Sequence, residues 1–177
     1  MLKPMVQNGL SRRMGAALAL GMLLALLHPG LAPASAAGTR YDFKLEDIVS
    51  GQTFQMDQLD QDKPLIVHVW SPECPHCQRH MPYLVALYHK LDLDRVNFVT
   101  CSVAESRRSA EDYIRDKHLN FPVLYVAGGK ITDSFTSKGW PTTFVFAPGG
   151  RLVGTCDTQS SSYVSEMLDL VDKAMNY

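Results

Sequence analysis

The chain has 177 residues, 46% of them hydrophobic, with 17 basic and 18 acidic side chains for a formal charge of −1. That length suits one domain plus an export or tail segment, and so even a charge offers no field for a phosphate backbone, which argues against nucleic acid as a partner. Four cysteines are too few for a disulfide scaffold, but two stand at C-x-x-C spacing, a signal for redox chemistry or metal binding.

The first feature along the chain is a leader. Lys3, Arg12 and Arg13 precede an apolar run from Met14 to Leu27, followed by Pro29, Gly30 and the small residues Ala34, Ser35, Ala36 and Ala37. This charged, apolar, small-residue order predicts a secretory signal peptide over residues 1–36. Cleavage after Ala36 leaves a domain of residues 37–177 carrying 14 basic and 18 acidic residues. The apolar run is 14 residues long, short of the ~20 that span a bilayer, so an uncleaved anchor is the weaker alternative. Bacterial-type export to the periplasm or beyond implies a compartment in which disulfides persist.

Tyr41 to Met56 reads as two short strands around the Ser50-Gly51 turn. Leu65 to Trp70 is a nearly continuous apolar run, the pattern of a strand covered on both faces. Pro75 to about Lys90 reads as a helix, with Cys77, Met81, Leu84, Tyr88 and Leu91 at helical spacing and Pro82 expected to kink it. Val96 to Cys101 is a further strand, and Ser109 to His118 a capped helix. Val123 to Ala127 is a strand closed by Gly128 and Gly129, with a short helical piece expected before Gly139. Thr142 to Phe146 and Arg151 to Cys156 form a hairpin around Pro148-Gly149-Gly150. The last helix starts near Ser162, with Val164, Met167, Leu168, Val171 and Met175 on one stripe. Strands alternating with helices predict an α/β sheet between helices.

The informative segment is Trp70-Ser71-Pro72-Glu73-Cys74-Pro75-His76-Cys77, where a buried strand passes into a helix. With Cys74 at the N-cap, Pro75 takes the first helical position, which suits proline. Cys77 then lies one turn inside, and i,i+3 spacing stacks the two sulfurs on one face. The helix N-terminus favours a thiolate on Cys74 by up to ~2 kcal/mol when partly buried, and a protonated His76 adds to that. Cys74 therefore reads as the attacking sulfur and Cys77 as the resolving one. A zinc knuckle lacks the second ligand pair it needs. A Cu(I) site built from Cys74, Cys77, His76 and His80 is the rival from another functional class, because thiolate and imidazole suit that ion.

The C-x-x-C after an apolar strand ending in Trp, with Pro82 five residues beyond the second cysteine, resembles the thioredoxin superfamily. Trp140-Pro141-Thr142-Thr143-Phe144-Val145-Phe146 resembles its P-T-x-F loop, whose proline is cis and faces the disulfide. The opening D-F-K-L-E-D, the following G-Q-T-F and the extra strand–helix stretch between Cys77 and Pro141 are similar to the TlpA/ResA-like branch. The resemblance covers about residues 41–175. It implies a thioredoxin-like central mixed sheet flanked by helices, with an N-terminal β-hairpin and a strand–helix insertion. It further implies an exported thiol–disulfide oxidoreductase that needs no bound cofactor. Its partners would be exported proteins with thiols or disulfides, apocytochrome c among the candidates, and a membrane electron carrier.

The chain departs from the family in three places. His68 stands where members carry an acid beneath the first cysteine, and His80 where TlpA/ResA-like proteins often carry a glutamate. The Pro75-His76 dipeptide resembles DsbA-type oxidases, which insert a helical domain that this chain has no room for. Resemblance to the branch implies electron donation to partner disulfides, whereas a stabilised Cys74 thiolate makes the disulfide more oxidising. Together these imply a potential near about −200 mV, with a reductase favoured over an oxidase. The peroxiredoxin signature P-x-x-x-[TS]-x-x-C is absent.

His68 shares a strand face with Ile66 and Trp70, and reads either as a core histidine or as a proton acceptor for Cys77. His80 lies one turn after Cys77 and is a candidate for the substrate groove together with Trp70 and Trp140, which flank the two motifs. His89 and His118 read as solvated helix residues. In the family's sheet order the strands ending in Cys101 and Cys156 are three spacings apart, about 14 Å, too far for a disulfide.

Overall fold

The computed structural model describes residues 44–55, 58–127, 135, 139–157 and 159–177. The leader over residues 1–36, the first residues of the predicted opening strand and the short helix expected before Gly139 lie outside the described residues. Among the described residues, no helix is long and apolar enough to cross a membrane.

The strands are β1 (Lys44–Glu46), β2 (Thr53–Gln55), β3 (Leu65–Trp70), β4 (Asn97–Ser102), β5 (Val123–Tyr125), β6 (Thr142–Phe146) and β7 (Leu152–Cys156); the helices are α1 (Pro75–Tyr88), α2 (Arg107–Lys117) and α3 (Tyr163–Met175). β1 and β2 pair antiparallel as a separate hairpin, and the other five strands form a mixed sheet in the order β5-β4-β3-β6-β7. β3 runs parallel to β4 and antiparallel to β6, so the most apolar strand sits at the centre, buried along all six residues. Continuous burial is why this strand shows no polar alternation.

The sheet separates two apolar clusters. On one face Ile66, Trp70, Phe98 and Val145 meet Cys77, Met81, Leu84 and Leu87 of α1 and Tyr163, Met167, Val171 and Ala174 of α3, with Tyr113 and Ile114 of α2 packed against them. On the other face Val67, Val69, Val99, Cys101, Leu124, Phe144 and Phe146 are covered by Phe135 and by Leu45, Phe54 and Leu59. Asp47 ties the hairpin to the sheet: its Oδ1 accepts the Val123 N–H at 2.9 Å and its Oδ2 the Ser50 hydroxyl at 2.6 Å, while Ile48 N donates to Val123 O at 2.9 Å.

Local chemistry sets the boundaries. α2 starts two residues earlier than the sequence pattern predicts, because the Ser106 hydroxyl caps it by accepting Ser109 N–H at 3.1 Å. It ends at His118, an exposed residue in the left-handed conformation at φ 53. α1 runs on through Pro82 to Tyr88. The β6–β7 connection turns at Gly149 and Gly150, with φ of 78 and 88 that only glycine adopts without strain.

Candidate functional site: a cysteine pair at a helix N-terminus

Cys74 is the N-cap of α1 and Pro75 its first residue. The Cys77 N–H points at Cys74 Sγ from 3.5 Å, and the Cys74 thiol faces Trp140 O at 3.7 Å across the cleft. The Trp140–Pro141 bond is cis. Cys74 is half-buried, whereas Cys77 is closed off by α1 packing onto β3. Cys77 Sγ accepts the Ser71 N–H at 3.5 Å. Burial is the main reason the Cys77 thiol is pushed up to about 12; the Ser71 N–H opposes this and its contact with Cys74 reinforces it. One sulfur is thus partly open to solvent while the other is held back as a thiol.

Behind the pair lies a buried polar cluster. His68 Nδ1 sits 2.8 Å from Thr143 Oγ1, which sits 2.8 Å from the Tyr163 hydroxyl. The His68 and His80 rings stack at 5.3 Å with 11° between planes, and His80 meets Tyr163 edge-on at 4.2 Å. Among the described residues, neither ring nitrogen of His80 has a hydrogen-bond partner. Burial holds His80 down at about 4, and burial together with the nearby His80 holds His68 well below the ordinary imidazole range. Both rings are therefore neutral at pH 7.

A profile described as the AhpC/TSA family matches residues 38–154. The chain belongs to that family. It is similar to the thiol-disulfide oxidoreductase ResA of Bacillus subtilis, 25% identical over 131 residues that cover 73% of this chain and 72% of that one. Among solved structures, StoA from Bacillus subtilis superposes with a TM-score of 0.61 at 21% identity, covering 72% of this chain and 94% of that one. The thioredoxin domain of a Bacteroides vulgatus thiol-disulfide oxidoreductase superposes with 0.63 at 16% identity, covering 77% and 98%. The sheet with its helices and hairpin is therefore a thioredoxin-like fold. Within this AhpC/TSA member, Val67 stands where the peroxiredoxin motif has its proline.

The geometry corrects three expectations. Trp70 does not line a groove: it is fully buried, its indole N–H donates to Thr100 Oγ1 at 3.2 Å, and its ring packs on Tyr113 at 5.3 Å. His80 is only 1% exposed and likewise lies beneath the surface, because the i+3 position after Cys77 faces α3 and the sheet. Trp140, at 40% exposed, lines the cleft. His76 is engaged by its neighbours, with Nδ1 2.9 Å from Arg79 Nη2 and 3.1 Å from Gln159 Oε1, and among the described residues it makes no hydrogen bond to Cys74. The copper ligand set also fails, since His76 is exposed while His80 is stacked inside. Among the described residues no three His, Cys, Asp or Glu side chains converge as metal ligands.

Cys101 and Cys156 are on β4 and β7, with β3 and β6 between them, and no disulfide joins them. Cys101 is buried and its thiol is pushed up to about 12 by that burial. Sequence reasoning missed Thr143, Tyr163 and Glu73. Thr143 becomes visible only when β6 is paired with β3, which sets it opposite His68.

Proposed function

We propose that the chain is an exported protein-disulfide reductase in which Cys74 attacks and Cys77 resolves. The observation that carries this reading is the division of labour between an accessible sulfur at a helix N-terminus and a buried sulfur one turn behind it. Cys74, as thiolate, attacks one sulfur of a partner disulfide; the partner's S–S bond breaks and its leaving thiolate takes up a proton. Cys77 then gives up its proton and attacks Cys74 Sγ, which breaks the mixed disulfide and releases the partner's second thiolate. Two electrons pass to the partner, and the chain is left as the Cys74–Cys77 disulfide, to be reduced again by an external dithiol, a membrane electron carrier in this reading.

A buried thiol held up at about 12 needs a proton acceptor when it attacks. We assign that role to His68, whose Nδ1 is anchored on Thr143, itself bonded to the Tyr163 hydroxyl. The hydroxyl chain lets Nδ1 serve as donor or acceptor, so a proton arriving at Nε2 is matched by reorientation of Thr143 and Tyr163. Pro75 fixes the first turn of α1, and buried Pro141 follows Trp140, whose carbonyl faces Cys74.

For redox direction, the contacts of His76 Nδ1 with Arg79 and Gln159, rather than with Cys74, support the reductase over the oxidase suggested by the dipeptide. Reductase is the reading we adopt, with a potential of about −200 mV. Equilibration of the pair against glutathione, followed by partner trapping with Cys77→Ser, tests it. A potential of about −120 mV, with reduced thiol proteins as the trapped partners, overturns it in favour of an oxidase. N-terminal sequencing of the exported protein is expected to start at Ala37; a Met1 start in the membrane fraction overturns cleavage.

A further inference from the structure

Glu73 immediately precedes Cys74 and is held by three donors from three places. Ser71 Oγ donates to its Oε2 at 2.5 Å, while Oε1 accepts the Ser109 hydroxyl of α2 and the Glu105 N–H at 3.3 Å. All three donors are neutral. Partial burial works against ionisation, but these bonds outweigh it and keep the carboxylate charged. Among the described residues, Arg107 pairs with Glu46 and Glu111, and Arg79 contacts His76. Among the described residues no cation pairs with this fixed charge, and a negative charge one residue from an attacking sulfur gives no help to an attack that proceeds through an anion. It does suit a cation arriving with the partner.

The adjoining cleft, about 430 Å³, is lined by Ser71, Glu73, Cys74, Val103, Ala104, Glu105 and Trp140. Among the described residues it holds a second carboxylate, no basic side chain, and an indole that is 40% exposed. Carboxylates beside an open aromatic ring complement an ammonium or guanidinium head. We propose that this cleft selects partner segments carrying a lysine or arginine beside the reacting cysteine, with Glu73 as the specificity-determining residue. The inference rests on the reading of Cys74 as the attacking sulfur.

The test uses the reduced full chain and three disulfide-bearing peptides that differ only in having Lys, Gln or Glu next to the cysteine. Single-turnover rates at low salt are expected to be about tenfold higher for the Lys peptide than for the Glu peptide, and the ratio is expected to shrink as salt screens the charges. Glu73→Gln is expected to bring the ratio within about twofold, with the Gln peptide reporting any change in the reactivity of Cys74 itself. Glu105→Gln, at an exposed position, is expected to reduce the ratio less and provides the variant readout if Glu73→Gln does not fold. Equal rates for the Lys and Glu peptides, a preference for the Glu peptide, or a ratio unchanged by salt and by Glu105→Gln would each overturn the selectivity alone. Failure to reduce any of the three overturns the reductase reading as well.

Discussion

The two faces of the sheet are built by opposite rules. The face under Phe135 and the hairpin is closed by aliphatic and aromatic side chains with Cys101 among them. The face under α1 and α3 buries His68, His80, Thr100 and Thr143 beside the apolar cluster. Polar groups are costly inside a protein unless they are partnered, and among the described residues His80 has no hydrogen-bond partner. The cost is concentrated behind Cys77, where the proposed mechanism moves a proton. The opposite face needs only to be stable.

That contrast can be broken most forcefully on the apolar face. Leu124 is fully buried on β5, opposite Cys101 and on the face of the sheet away from Cys74 and Cys77. Leu124→Ala is expected to cost about 2–5 kcal/mol of stability in denaturant titration, while Cys77-dependent resolution in the folded protein keeps its rate. A slower resolution step in that variant would mean that the two faces are not functionally separate.

On the polar face, Thr143→Val removes the hydroxyl between His68 and Tyr163 at nearly constant volume. It is expected to cost about 1–3 kcal/mol, since buried polar atoms lose their partner, and also to slow resolution and shift its pH profile. A stability loss with an unchanged profile would leave His68 as a core residue.

Acid titration sharpens the comparison further. His80 is held near 4 when folded, against 6.5 when unfolded, and His68 is shifted the same way. Below pH 6.5 the unfolded chain takes up protons that the folded chain refuses, so stability is full above that pH and falls as pH drops towards 4. The slope is at most about 1.4 kcal/mol per pH unit for each histidine, read from urea midpoints across the range. His80→Leu is expected to remove the His80 share of that slope. At pH 7 the same variant is expected to gain about 1 kcal/mol, because two unpartnered nitrogens leave the interior; a loss would show that the imidazole is satisfied in solution.

How much of this was legible in the sequence depended on whether a signal was local. β3, the N-cap placement of Cys74 with Pro75 behind it, and the hairpin turned by Gly149 and Gly150 each follow from a few adjacent residues. The environment of His80 was not legible, because helical spacing gives its face on α1 but not that α3 covers that face. The bond between His68 and Thr143 spans 75 positions and exists only through the antiparallel register of β3 and β6. The surroundings of His76 were legible only in part: its neighbour Cys74 was in plain view, while Gln159, 83 positions away, was not.

The Asp47 link between hairpin and sheet bears on self-association. β5 is the terminal strand of the parallel side, and an uncovered terminal strand is a template on which further chains can pair. Asp47 and Ile48 occupy the Val123 N–H and C=O, so the template is filled from within the same molecule. Removing the hairpin, or replacing Asp47, would present that edge to a second copy, and the first symptom expected is concentration-dependent aggregation before any loss of thiol chemistry.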